Sequence, residues 1–154
     1  MTEIDLSPQL EQIREKYPEW WRSEEAQRQL QALWGDASCN AHGVLEAHEE
    51  IAIALEPQWK ASVRIARAPN GWYAFAVSYS YALGGGTSPI SVWNRTAYTA
   101  REEALEAGIR ELKRQYQSII DWQGYAPQSQ KTNAARMIEL LDSYLIGSRQ
   151  MSLF

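Results

Sequence analysis

The hydrophobic period of the chain switches from two to about 3.6 near Thr99, and that switch constrains the fold more than any other feature. Trp59, Ala61, Val63 and Ile65 alternate with Lys60, Ser62 and Arg64, as in a half-buried strand. Pro69-Asn70-Gly71 signals a turn. A second strand, Trp72 to Leu83, carries Tyr73, Phe75, Val77, Tyr79 and Tyr81 on one face and Trp72, Ala74, Ala76, Ser78 and Ser80 on the other. Gly84-Gly85-Gly86 reads as a flexible hairpin loop. Pro89 to Tyr98 then reads as a third strand, with Ile90, Val92 and Tyr98 on one side and Trp93 and Arg95 on the other. Thr99 opens a long helix, and Glu102 completes a capping box. Leu105, Ile109, Leu112, Tyr116 and Ile119 form its apolar stripe, which is expected to cover Tyr73, Phe75 and Tyr79.

The segment before this sheet reads as helical. Ser7-Pro8 caps and opens a first helix with Leu10, Ile13 and Tyr17, stopped by Pro18. Ser23 caps a second, with Ala26, Leu30, Leu33 and Trp34, which Gly35 closes. A third is expected from Val44 to Leu55. Its end, Ile51 to Leu55, suits a strand equally well, and periodicity alone leaves both open. After a polar loop, Gln123 to Gln130, a last helix carries Ala134, Ile138, Leu141 and Leu145 on one face, and Gly147 ends it.

The expectation is an α+β protein: a three-stranded antiparallel sheet with a long helix on one face, flanked by N-terminal helices and a C-terminal helix. Residues 1–147 form one domain, helical and acidic over 1–57, β-β-β-α over 58–122 and helical over 130–146. Residues 148–154 are expected to extend from it.

Charge is unevenly spread along the chain. Residues 1–60 hold twelve acids and five bases, and residues 61–154 hold seven acids and ten bases, within a net charge of −4. That balance argues against a general nucleic-acid binder but permits a DNA-facing surface on the second part. Cys39 is the one cysteine, so a disulfide framework is excluded and a reducing compartment is expected. No basic-then-apolar leader opens the chain, and no apolar stretch nears the roughly 20 residues that span a bilayer. The expected location is the cytoplasm.

The sharpest motif is Gln150-Met151-Ser152-Leu153-Phe154. Leu153 and Phe154 are two adjacent apolar anchors suited to a preformed cleft, and the Gln150 amide both donates and accepts in a polar pocket. The pentapeptide resembles the clamp-binding peptide of bacterial polymerases, repair proteins and clamp loaders: Gln, an aliphatic residue, Ser or Asp, Leu, Phe. Met151 stands where Leu is more usual, a swap of similar volume. Chance produces such a pentapeptide on the order of once in 10⁵ positions at ordinary residue frequencies. The resemblance implies a partner, the bacterial sliding clamp, for a non-enzymatic accessory or regulatory protein of bacterial, plasmid or phage DNA metabolism.

Two weaker constellations remain. Cys39, His42 and His48 have spacings seen in metal sites, but a fourth ligand is missing and no metal is expected there. Lys60, Arg64, Trp72, Trp93 and Arg95 fall on the sheet face opposite the long helix, where aromatics among cations would make a stacking platform for nucleic acid. The alternative is that the N-terminal helices cover this face. Nothing resembles a nucleophile with its base, and Gly84-Gly85-Gly86 lacks the Lys and Ser or Thr of a phosphate loop, so neither a catalytic residue nor a cofactor nor a small-molecule substrate is expected. Two competing functions are a small nucleic-acid-binding module using that basic aromatic face, and a protein inhibitor or scaffold from a mobile element acting through the acidic N-terminal helices.

Overall fold

The computed structural model of the protein describes residues 3–151. In chain order its elements are β1 (Glu3–Asp5), α1 (Ser7–Lys16), a 3₁₀ turn (Trp20–Arg22), α2 (Glu24–Leu33), β2 (Glu49–Glu56), β3 (Trp59–Arg67), β4 (Tyr73–Tyr81), β5 (Gly84–Thr87), β6 (Thr96–Tyr98), α3 (Arg101–Ile120) and α4 (Gln128–Met151). The fold is α+β as expected. Its antiparallel sheet has six strands rather than three, in the order β1-β6-β4-β3-β2, with β5 pairing β4 as a side branch. No helix among the described residues is long and apolar enough to cross a membrane.

Contacts divide the chain into two compact units. The first draws on residues up to Glu50, Arg64–Ala76 and Pro89–Leu105, and the second on Ile51–Val63, Val77–Ser88 and residues from Glu106 onward.

In the first unit, α1 and α2 place Leu6, Leu10, Ile13, Ala26, Leu30 and Trp34 in a core with Ala66, Ala74, Ala76, Ile90 and Val92. Small residues on the strands make room for large ones on the helices. The Ser23 hydroxyl accepts from Ala26 N–H at 3.1 Å, capping α2 as its position implies. At the other end Gly35 takes φ +76°, and Asn70 Nδ2 donates to Leu33 O at 3.2 Å. Asn70 Oδ1 accepts from Trp72 N–H, so one side chain fastens the 69–71 turn to the last carbonyl of α2.

Two expectations fail in this unit for local reasons. The helix expected from Val44 does not form. Asn40 Oδ1 instead accepts from His42 N–H and Val44 N–H, Gly43 turns with φ +76°, and Leu45 N–H pairs with Ile90 O. The expected strand from Pro89 is reduced to Thr96–Tyr98. Ser91 and Asn94 side chains bind neighbouring N–H groups, and Asn94 Nδ2 donates to Phe75 O, a turn that side-chain bonding favours over a ladder.

In the second unit, Trp59, Ala61, Val63 and Val77 are buried, as are Ile109, Leu112, Tyr116, Ala134, Met137 and Leu141. Tyr116 meets Tyr79 edge-on at 6.0 Å and Trp59 at 6.2 Å, the meeting of helical stripe and strand face that the two periods imply. The acidic 1–57 segment is not wholly helical, because β2 alternates half-buried Ile51, Ile53 and Leu55 with exposed Ala52 and Ala54. Gly84–Gly86 is not a loop but part of β5, in register with Tyr79, Ser80 and Tyr81. A Cβ at Gly85 would lie 2.3 Å from Tyr79 O and one at Gly86 2.8 Å from the Tyr79 ring, so close approach selects glycine here.

Candidate functional site

The end of α4 carries the peptide singled out by sequence. The helix does not stop at Gly147 but runs through Ser148 and Arg149 to Met151, so residues 148–151 are helical rather than extended. Gly147 has nothing within 4 Å of where a Cβ would stand, and a glycine in an open helix position costs only about 1 kcal/mol relative to alanine. Arg149 is fixed to Glu106 on α3, and neighbouring Ile146 is 54 % exposed. Ser152, Leu153 and Phe154 lie outside the described residues.

The five residues of the expected basic aromatic face have separate fates. Lys60 is exposed on β3. Arg64 is half-buried and Arg95 exposed, the latter accepting a bond from Leu6 N–H at its carbonyl. Trp72 and Trp93 pack against the N-terminal core. Trp72 meets Trp34 edge-on at 6.1 Å, and Trp93 meets Trp20 at 5.3 Å with the Arg14 guanidinium 5.2 Å from its ring. Both indoles therefore serve packing in the first unit, the covering by N-terminal helices that competed with an open platform.

No group of three or more His, Cys, Asp or Glu among the described residues is placed to hold a metal. Cys39 is half-buried, and burial pushes its thiol above the ordinary range. His48 Nδ1 accepts from Arg67 N–H at 2.9 Å, which leaves Nε2 to carry the hydrogen of the neutral ring. His48 borders a small cavity of about 220 Å³ with Trp34, Leu45, Arg67 and Ala74.

The second unit holds a feature that sequence reasoning missed. A groove of about 450 Å³ is lined by Tyr79, Tyr81, Leu83, Ile119, Trp122 and Tyr125, with Gln130 among them. Tyr79 and Tyr81 stack at 6.4 Å and 12°. Trp122 is 59 % and Tyr125 98 % exposed, both on the loop between α3 and α4. The indole lies against Gly124, where a Cβ would come within 2.4 Å of Nε1, so glycine there sets the ring's position. Gln130 is 8 % exposed and its Oε1 is buried with no hydrogen-bond partner among the described residues. A buried acceptor left unpaired costs about 1–3 kcal/mol. The signal in the sequence was two aromatics in a loop otherwise polar, beyond the end of the helical stripe. Comparisons with protein-family models, curated proteins and solved structures find no match for this chain.

Proposed function

We propose that the protein is a non-enzymatic accessory or regulatory factor of bacterial, plasmid or phage DNA metabolism that docks on the DNA polymerase sliding clamp through Gln150-Met151-Ser152-Leu153-Phe154. The observation that carries this reading is the pentapeptide itself, in which every position has a residue type the docking chemistry needs. Leu153 and Phe154 supply roughly 1.5–3 kcal/mol each on full burial. Gln150 supplies a paired donor and acceptor.

Docking an extended peptide requires Gln150 and Met151 to leave the last turn of α4. Terminal helical turns open at little cost, and Gly147 lowers it further by weakening the turn before. Burial of two apolar anchors outweighs that cost. Because the clamp encircles DNA, the docked body is held beside the duplex at high effective concentration, or it occupies the cleft against other clamp clients. The test is binding to immobilised bacterial clamp by the full chain and by the Leu153→Ala, Phe154→Ala double variant. Binding by the first and none by the second is expected. No binding by either, or equal binding by both, ends the reading.

A further inference from the structure

The aromatic groove of the second unit is separate in chemistry from the clamp peptide and asks for its own ligand. Its walls are rings, Tyr79 and Tyr81 within and Trp122 and Tyr125 open to solvent, and its one buried polar demand is the unpaired Gln130 Oε1. Planar faces with a hydrogen-bond acceptor fit a flat heterocycle that has an N–H on its edge. Gln130 stands in the first turn of α4, which carries no acidic side chain, and Lys131 beside it donates to Trp122 O at 3.3 Å. A helix N-terminus and a lysine favour a negatively charged group nearby. An adjoining cleft of about 480 Å³ shares Ser118 with the groove and is lined by Arg110, Lys113 and Arg114 together with Asp121.

We propose that this groove binds the exposed bases of a single-stranded nucleic acid. One base enters, stacks on the tyrosine wall and gives an edge N–H to Gln130 Oε1, and Trp122 and Tyr125 stack its neighbours. A strand fits better than a free nucleotide because Tyr125, almost wholly exposed, would be idle against a single base. The phosphates face solvent at the groove's rim. Lys113 and Arg114 are already paired with Asp142 and Glu111, Arg110 is engaged as well, and Asp121 lines the adjoining cleft with them, so stacking dominates.

Fluorescence anisotropy with short labelled homopolymeric DNA strands, in the absence of clamp, tests this independently of the clamp reading. Trp122→Ala and Tyr125→Ala change exposed residues and are expected each to weaken binding about 5- to 150-fold, from stacking of roughly 1–3 kcal/mol per base. Gln130→Leu, which removes the acceptor and keeps the bulk, is expected to weaken binding by a smaller factor. An abasic strand of the same length should bind no better to the native chain than base-bearing strands bind to Trp122→Ala. No binding by the native chain, equal binding of abasic and base-bearing strands, or unchanged binding by a Trp122→Ala, Tyr125→Ala double variant overturns the proposal. Free dAMP competing as well as a strand of equal molar concentration overturns the assignment to single strands.

Discussion

Arg149 reaches from the last turn of α4 to Glu106 on α3, with Nε at 3.0 Å and Nη2 at 2.9 Å from the same carboxylate oxygen, Oε1. The pair sits one residue before the pentapeptide proposed to dock on the clamp and fastens the helical turn that such docking would open. Both side chains are partly open to solvent, so the pair is worth only about 0.2–1 kcal/mol. Glu106→Gln is therefore expected to leave the melting temperature almost unchanged and to raise clamp affinity by no more than about fivefold, since the helix end opens more readily. Titration of the variant against the clamp checks this. A fall in affinity would mean that the pair positions the peptide instead of restraining it.

Two glycines with positive φ make a matched pair. Gly35 and Gly71 take φ +76° and +87°, and alanine at either is strained by about 1–2 kcal/mol. Only Gly35 is also crowded, because its Cβ would stand 2.6 Å from Asn70 N, whereas nothing lies within 4 Å at Gly71. Urea unfolding should show Gly35→Ala losing more stability than Gly71→Ala by at least about 1 kcal/mol. Equal losses would show that the 69–71 turn yields freely and does not hold the end of α2.

Tyr116 supplies a pH signature. Its ring is fully buried, and its hydroxyl donates toward Lys60 O at 2.9 Å and Ser80 O at 3.1 Å. Burial pushes the phenol from its ordinary 10.0 up to about 12. Ionisation is thus harder in the folded chain than in the unfolded one. The stability this provides is fully present below pH 10 and is lost as pH rises through about 12. Tyr116→Phe should cost about 1–2 kcal/mol near neutrality through the lost bonds. Between pH 10 and 12 the difference from the native chain should shrink, because phenylalanine does not ionise. Denaturant titrations at both ends of that window measure it, and a constant difference would show that the phenol ionises as easily folded as unfolded.

What was legible in the sequence follows from which interactions are local. Ser23 capped α2 and Leu105, Ile109, Leu112 and Tyr116 were buried because caps and apolar stripes act within a turn or two of chain. The rest depended on partners far away in sequence or, at Ser91 and Asn94, on side chains that compete locally with a ladder. The Ile51–Leu55 run had the period of a strand, but its neighbour in the sheet had to decide it. Gly84–Gly86 looked like a loop because glycine lacks side-chain pattern, yet backbone pairing needs none and the Tyr79 ring leaves room for nothing larger. The strand expected from Pro89 lost to Ser91 and Asn94, whose side chains supply the hydrogen bonds a ladder would have offered.

The site divides along the same line. Gln150 to Phe154 stood out in the sequence because the proposed docking peptide keeps its chemistry in consecutive residues. The aromatic groove did not, since Tyr79, Trp122 and Gln130 meet only after folding. Trp72 and Trp93 left two readings open, an aromatic face among cations or a face under the N-terminal helices, and only the folded chain shows the core they pack against.

The division of energy within the proposed clamp peptide gives the last expected outcome. A short apolar peptide in a preformed cleft typically reaches micromolar affinity, about −8 kcal/mol. Buried apolar anchors dominate such small interfaces, so Leu153→Ala or Phe154→Ala should each weaken clamp binding more than any other single change in the peptide. Gln150→Ala leaves a polar pocket unpaired and should weaken binding by roughly 1–3 kcal/mol, the smaller effect. Met151→Leu restores the more usual aliphatic and should be neutral or mildly favourable. Surface plasmon resonance on immobilised clamp orders the four variants, and thermal melts of the same samples separate docking from folding. If the reading is right, affinity falls in the stated order while melting temperatures stay within a few degrees of the native chain. A large drop in melting temperature for Leu153→Ala or Phe154→Ala would instead assign those side chains to the protein's own core.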